Sequence, residues 1–180
     1  MATAIGGLTI EEFEQLPNAL ARNHELVDGR LVDVSGNTLS HNILRGELGC
    51  LLGAYVREHE LGRVITEQDF DFDGNAHGPD ASFFGPGKER LTDGDLRVQR
   101  FVPDLAIEIV SKCDKFEAML EKVLRYRRCG TAEVYIFSIE TRQVFRYSEE
   151  HTAVLNENEE FRPSQIPGFA IRIGDLFGMI

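Results

Sequence analysis

Phe101-Val102-Pro103-Asp104-Leu105-Ala106-Ile107-Glu108-Ile109-Val110-Ser111 is the stretch on which the fold turns. Leu105, Ile107 and Ile109 alternate onto one face, with Asp104, Ala106, Glu108 and Val110 on the other, so the run reads as a buried strand. Glu108 sits between Ala106 and Val110 on its face, where an unpaired charge is costly. Directly downstream, Lys115 to Arg128 reads as an amphipathic helix on the stripe Phe116, Met119, Leu120, Val123 and Leu124, stopped by Gly130. Two further strands follow, Val134 to Phe137 and Gln143 to Tyr147, around Glu140-Thr141-Arg142. The tail from Pro167 to Ile173 reads as a last strand.

Upstream, Arg63 to Asp73 reads as a strand, turned at Asp73-Gly74 into a second strand from Pro79 to Phe84. Gly85 to Arg100 is polar and glycine-containing and is expected as a mobile loop. Ser40 to Glu60 is a long helix: Ile43, Leu44, Leu48, Leu51, Leu52 and Tyr55 recur at helical spacing, and Gly62 ends it. His24 to Val34 is a hairpin about Asp28-Gly29. Its two-residue turn pairs Val27 with Arg30, Leu26 with Leu31 and Glu25 with Val32, which sets Glu25 on an apolar face with Val27, Val32 and Val34. Thr9 to Phe13 carries a helix-capping box, and Pro17 stops that helix.

The 180 residues fit one domain spanning 1–180, and 42% apolar with 27% charged residues is the balance of a soluble globular protein. No apolar run is long enough to cross a membrane, and Met1 to Leu8 lacks the pattern of a signal peptide. Cys50, Cys113 and Cys129 are widely spaced and odd in number, which argues for a reducing cytoplasm and against a disulfide scaffold or zinc site. A formal net charge of −11 counts against tight, non-specific binding of nucleic acid. It does not exclude a nuclease, because a carboxylate cluster awaiting a divalent cation is itself acidic.

Two acids carry the chemistry. Pro79-Asp80 opens one strand and Glu108 sits in another. Carboxylates from adjacent strands can hold a magnesium ion, which activates water and neutralises charge on a phosphate. A nearby lysine supplies a compact positive charge, or a base if burial lowers its pKa. Lys122 lies on the flank of the helix stripe, one turn from Tyr126. Lys115 lies on the same flank. Lys112 shares the face of Glu108 if the strand continues, about 13 Å away at the usual strand rise.

Taken in order, the residues resemble the PD-(D/E)XK nuclease superfamily, and more closely its Uma-type family of putative restriction endonucleases. The resemblance runs from about Phe13 to Phe177. It rests on His24-Glu25-Leu26-Val27-Asp28-Gly29-Arg30-Leu31-Val32, Ser40-His41, Pro79-Asp80, Pro103 through Ser111, and Lys122 with Tyr126 and Gly130 behind it. It implies an α/β restriction-endonuclease-like fold, a mixed and curved central sheet flanked by helices. It also implies a metal-dependent endonuclease acting on DNA, with Asp80 and Glu108 as ligands of magnesium or manganese. Lys122 becomes the catalytic lysine, displaced onto the helix, and Glu25 an additional acid; a homodimer follows by analogy. The chain departs from the pattern at Val110, where the superfamily signature has lysine, at Lys112 after Ser111, and in Glu133 to Ser138, a strand that lacks the family's tryptophan.

Three expectations follow. Lys122→Ala removes cleavage while sparing folding. Lys122, Arg125, Arg127 and Arg128, with Arg97 and Arg100, contribute phosphate contacts. His41 either faces the site or serves the helix end. Two rival readings stand beside this one: a catalytically degenerate nuclease fold that binds a partner, and a calcium loop at Asp69-Phe70-Asp71-Phe72-Asp73-Gly74 with Asp80 in the twelfth place. The strand-like flanks and alternating phenylalanines oppose the calcium loop. Asp104, a competing Pro-Asp, reads as the turn into its strand.

Overall fold

A computed structural model describes residues 7–110 and 116–180. The capping box forms as the sequence predicts: Thr9 and Glu12 exchange side-chain and backbone hydrogen bonds and open α1 (Ile10–Glu14), followed by α2 (Asn18–Ala21). The hairpin of β1 (His24–Val27) and β2 (Arg30–Asp33) adopts the predicted register, Glu25 opposite Val32. Its turn residues Asp28 and Gly29 have φ of 48° and 75°, which matches the right-handed twist of the strands. In α3 (Leu39–Glu58), residues three and four apart turn one stripe inward: His41, Leu44, Leu48, Leu52 and Val56.

The next stretch departs from the sequence expectation. Instead of one straight hairpin there are four strands: β3 (Arg63–Thr66), β4 (Asp69–Asp71), β5 (Ala76–His77) and β6 (Ala81–Phe84). β3 pairs with β6 and β4 with β5, in different sheets. The hairpin therefore bends, at Glu67 with φ 55° on the outgoing arm and around Gly78 on the return. Two cores draw the halves apart. Val64 packs under α3 with Leu44 and Leu48, whereas Phe70 and Phe72 enter a cluster with Phe84, Phe101 and Tyr126. Gly78 allows the tight corner, since a Cβ there would come 2.7 Å from Asp69 Oδ1.

The expected mobile loop holds α4 (Pro86–Glu89) and β7 (Val98–Gln99), which pairs parallel to β4 with Val98 fully buried. Next come β8 (Leu105–Val110), α5 (Phe116–Arg128) and β9 (Glu133–Ser138). β8 and β9 are parallel neighbours, joined across α5 as a β-α-β unit. β10 (Gln143–Tyr147) and β11 (Thr152–Leu155) complete a six-stranded mixed sheet in the order β11-β10-β9-β8-β6-β3. The other sheet runs β2-β1-β5-β4-β7. The mixed, helix-flanked sheet expected from sequence is thus realised in two parts, joined by the bent hairpin.

The predicted tail strand shortens to β13 (Ile171–Arg172), paired with β12 (Glu160–Phe161), and turns at once into α6 (Ile173–Phe177). Helical spacing there buries Ile173, Leu176 and Phe177 beneath α3. Among the described residues no helix is long and apolar enough to cross a membrane.

Candidate functional site

Asp80 stands at the bend, one residue before β6. The β6–β8 register runs Ala81 opposite Ile107 and Ser82 opposite Ala106. Carried one step further, it sets Asp80 opposite Glu108, so the two side chains leave the sheet on one face. Asp80 Oδ2 accepts the backbone N–H of Ile109 at 2.8 Å and lies 3.2 Å from His41 Nε2 on α3. Its Oδ1 is 3.7 Å from Arg45 Nη1, one helical turn after His41.

Glu108 is 4% exposed. Its Oε1 accepts the Tyr126 hydroxyl at 2.7 Å and lies 3.0 Å from Lys122 Nζ. Lys122 and Tyr126 are four apart on α5, so one helix face delivers both. Lys122 Nζ also meets Glu25 Oε1 at 2.8 Å. Glu25 comes from β1 in the other sheet. It is held by the Gly78 N–H at 3.0 Å on Oε1 and by His77 Nδ1 at 2.9 Å on Oε2. Lys122 thus ties the two sheets together through one ammonium between two carboxylates.

The electrostatics follow from burial and pairing. Burial pushes the Glu108 carboxyl up, to about 7, with Asp80 and Glu25 adding to the rise against Lys122. Burial acts the same way on Glu25, but Lys122 and His77 overcome it and hold that carboxyl down at about 2. Burial disfavours the Lys122 charge, yet Glu108 and Glu25 keep it protonated well above its usual range. This removes the option of a neutral lysine base and leaves a fixed positive charge. Burial lowers His77 and, with Glu108 nearby, raises Tyr126. His41 is raised, because its bond to Asp80 outweighs burial.

The donor set fits a hard divalent cation. Among the described residues, the hydrogen bonds of each facing carboxylate fall on one of its two oxygens. Glu108 Oε1 is taken by Tyr126 and Lys122, and Asp80 Oδ2 by Ile109 and His41, while Asp80 Oδ1 faces Arg45 at 3.7 Å. Among the described residues no three His, Cys, Asp or Glu side chains converge on one point. Magnesium retains several waters and is commonly held by one or two carboxylates, so a pair suffices.

Sequence reasoning named Glu25, Asp80, Glu108 and Lys122, and the structure brings all four together. It left His41 undecided between the site and the helix end, and it passed over His77, Arg45 and the hydroxyl of Tyr126. His41 and Arg45 had a signal, their shared helix face. His77 had none, since it meets Glu25 from 52 positions away. The rivals Lys112 and Lys115 lie outside the described residues.

One expectation is corrected. Lys122 is no free flank residue, since its side chain is 15% exposed and neutralises two buried acids. Several of the expected phosphate-facing arginines also have partners within the chain, which does not decide their part in binding phosphate. Arg125 pairs with Asp28, Arg127 with the carbonyls of Thr131 and Ala132, Arg97 with Asn18, and Arg100 with Glu11 and Asp71. The strand reading that opposed a calcium loop holds: the stretch is a strand hairpin with Phe70 and Phe72 fully buried, and Asp71 accepts the Gly74 N–H of its turn.

The sequence pattern of Uma2, described as putative restriction endonuclease, matches residues 10–174. No curated protein matches the chain. A solved structure from Anabaena variabilis, described as a putative nuclease belonging to DUF820, superposes with a TM-score of 0.82 at 22% identity, over 96% of this chain and 98% of that one. At that identity the likeness establishes a shared fold.

Proposed function

We propose, for a chain that belongs to the Uma2 family described as putative restriction endonuclease, metal-dependent hydrolysis of phosphodiester bonds in DNA at the cluster of Asp80, Glu108, Lys122 and Glu25. One observation carries the reading: two buried carboxylates on neighbouring strands, each with its hydrogen bonds on one oxygen among the described residues, stand beside a buried ammonium. Asp80 and Glu108 would hold magnesium or manganese, which would supply Lewis-acid polarisation of the phosphate and acidify water.

The chain's own residues do the rest. Lys122 presents a permanent positive charge toward the phosphate, where negative charge grows in the transition state. Glu25 fixes that ammonium, and His77 with the Gly78 N–H fixes Glu25. Tyr126 orients Glu108, and His41 with the Ile109 N–H orients Asp80. Preorganised in this way, the site pays little reorganisation when substrate arrives. Cutting both strands of a duplex calls for two such sites, which a homodimer supplies.

The test is incubation of the purified protein with duplex DNA, single-stranded DNA and RNA in magnesium, manganese, calcium or chelator. Cleavage of DNA in magnesium or manganese, abolished by chelator and by Asp80→Ala, is the expected result. Absence of cleavage in every condition, with no heat of manganese binding in calorimetry, gives the function to a catalytically inert binding module instead.

A further inference from the structure

A second feature adjoins the carboxylates on the side away from Lys122. Arg45 projects from α3 toward Asp80, but its nearest partner is Glu67, with Asn42 Oδ1 at 2.8 Å from its other terminal nitrogen. The Arg45 side chain is 16% exposed, whereas that of Glu67 is 60% exposed. A solvent-facing acid of this kind is a weak partner, easily exchanged. Glu67 also sits in a left-handed conformation, φ 55°, at the bend after β3.

An open groove of about 350 Å³ runs along the same two elements, lined by Gly46, Gly49, Val64, Ile65 and Thr66. Gly46 follows Arg45 and Thr66 precedes Glu67, so the Arg45–Glu67 pair bridges α3 and the end of β3 at one end of this groove. Gly49 has a packing reason, since a Cβ would come 2.9 Å from Thr66 Cγ2. Gly46 has none: nothing lies within 4 Å of where its Cβ would be. A glycine inside a helix weakens it, so an unforced one beside a groove keeps a wall low.

We propose that this groove takes the sugar-phosphate segment next to the cleaved bond, and that Arg45, exchanged from Glu67, grips the phosphate of that segment. The inference rests on the nuclease reading above and adds the path of the substrate and the residue that holds it. A guanidinium matches two phosphate oxygens with parallel N–H donors. A cation held by Asp80 would compete with Arg45, now 3.7 Å from Asp80 Oδ1, and favour its turning to an incoming anion. Glu67 competes with the phosphate for the same donors. The device therefore disfavours polyanions until the metal site is filled.

The experiment measures binding of a fluorescent DNA oligonucleotide in calcium, at several salt concentrations, for wild type, Arg45→Ala, Glu67→Gln and Gly46→Leu, alongside cleavage in magnesium. Arg45→Ala is expected to weaken binding about tenfold or more and to lower the salt slope by about one phosphate contact. Glu67→Gln is expected to tighten binding about threefold, the reverse of what loss of a merely structural ion pair would do. Gly46→Leu fills the groove where space exists and should raise KM more than it lowers kcat. Wild-type cleavage with unchanged binding in Arg45→Ala and Gly46→Leu overturns the inference alone and leaves the nuclease reading standing. Wild type that binds without cleaving still supports the groove if Glu67→Gln tightens and Arg45→Ala weakens that binding. Wild type that binds no oligonucleotide in calcium overturns both.

Discussion

Glu108 and Glu133 stand on neighbouring parallel strands, β8 and β9, and both are buried, 4% and 1% exposed. Their surroundings differ in one respect. Glu133 has both oxygens occupied: Oε1 by Arg146 at 2.6 and 2.9 Å and by Tyr135, Oε2 by the N–H groups of Ser164 and Gln165. It clasps the C-terminal segment to the sheet. Glu108 has its hydrogen bond and its ion pair on one oxygen among the described residues, and a carboxyl raised to about 7 by burial and by the acids around it. A buried acid with both oxygens bonded holds a structure together, and one whose carboxyl is raised among other acids is a candidate for the proposed ligand site.

The comparison breaks first at activity. Glu108→Gln should lower the cleavage rate on the order of 10³-fold, several kcal/mol of transition-state stabilisation, without loss of thermal stability. Unchanged rate in that variant would end the functional half of the contrast. Lys122→Ala comes next: it strands two buried carboxylates, so urea unfolding should show roughly 3 kcal/mol or more of destabilisation. Adding Glu25→Gln should return part of that stability and none of the activity. Glu133→Gln should remove about 2–3 kcal/mol, because its amide sets donors against donors, while the rate per folded molecule stays constant.

The smallest effect sharpens the electrostatic side. Burial pushes the Asp69 carboxyl up to about 7, and the Glu25 charge adds to it. From about pH 4 to pH 7 the unfolded chain has released a proton that the folded chain keeps, so stability falls as pH rises across that window. Asp69→Asn should then be more stable than wild type by about 1 kcal/mol at pH 8 and show no gain at pH 4. Equal stability at both values would mean that Asp69 is solvated.

Local features were legible wherever the chain states its own geometry. Asp28-Gly29 sets the β1–β2 register, the stripe of α3 sets its inward face, and alternation in β8 sets Glu108 on one side. Glu67 gave no warning that a strand ends there, because Thr66 and Asp69 both continue the alternation. The bend comes from competition between two distant cores for Val64 and for Phe70. Val98 hid inside a polar loop for a similar reason: its burial against Ile10, Phe13 and Leu26 is a contact across more than seventy positions. Lys122 looked like a surface lysine on its own helix, since both of its partners lie on strands that the helix pattern does not mention.

By itself the sequence determined which residue types were present, their order, and the face that each takes on its own helix or strand, because periodicity and turn chemistry act over a few residues. The family resemblance, added to those faces, named Glu25, Asp80, Glu108 and Lys122. Only the tertiary structure decided that Lys122 is an ammonium locked between two acids and that His77 and Tyr126 hold those acids. Those outcomes depend on desolvation and on charges brought within a few ångströms by folding, and neither exists along the extended chain.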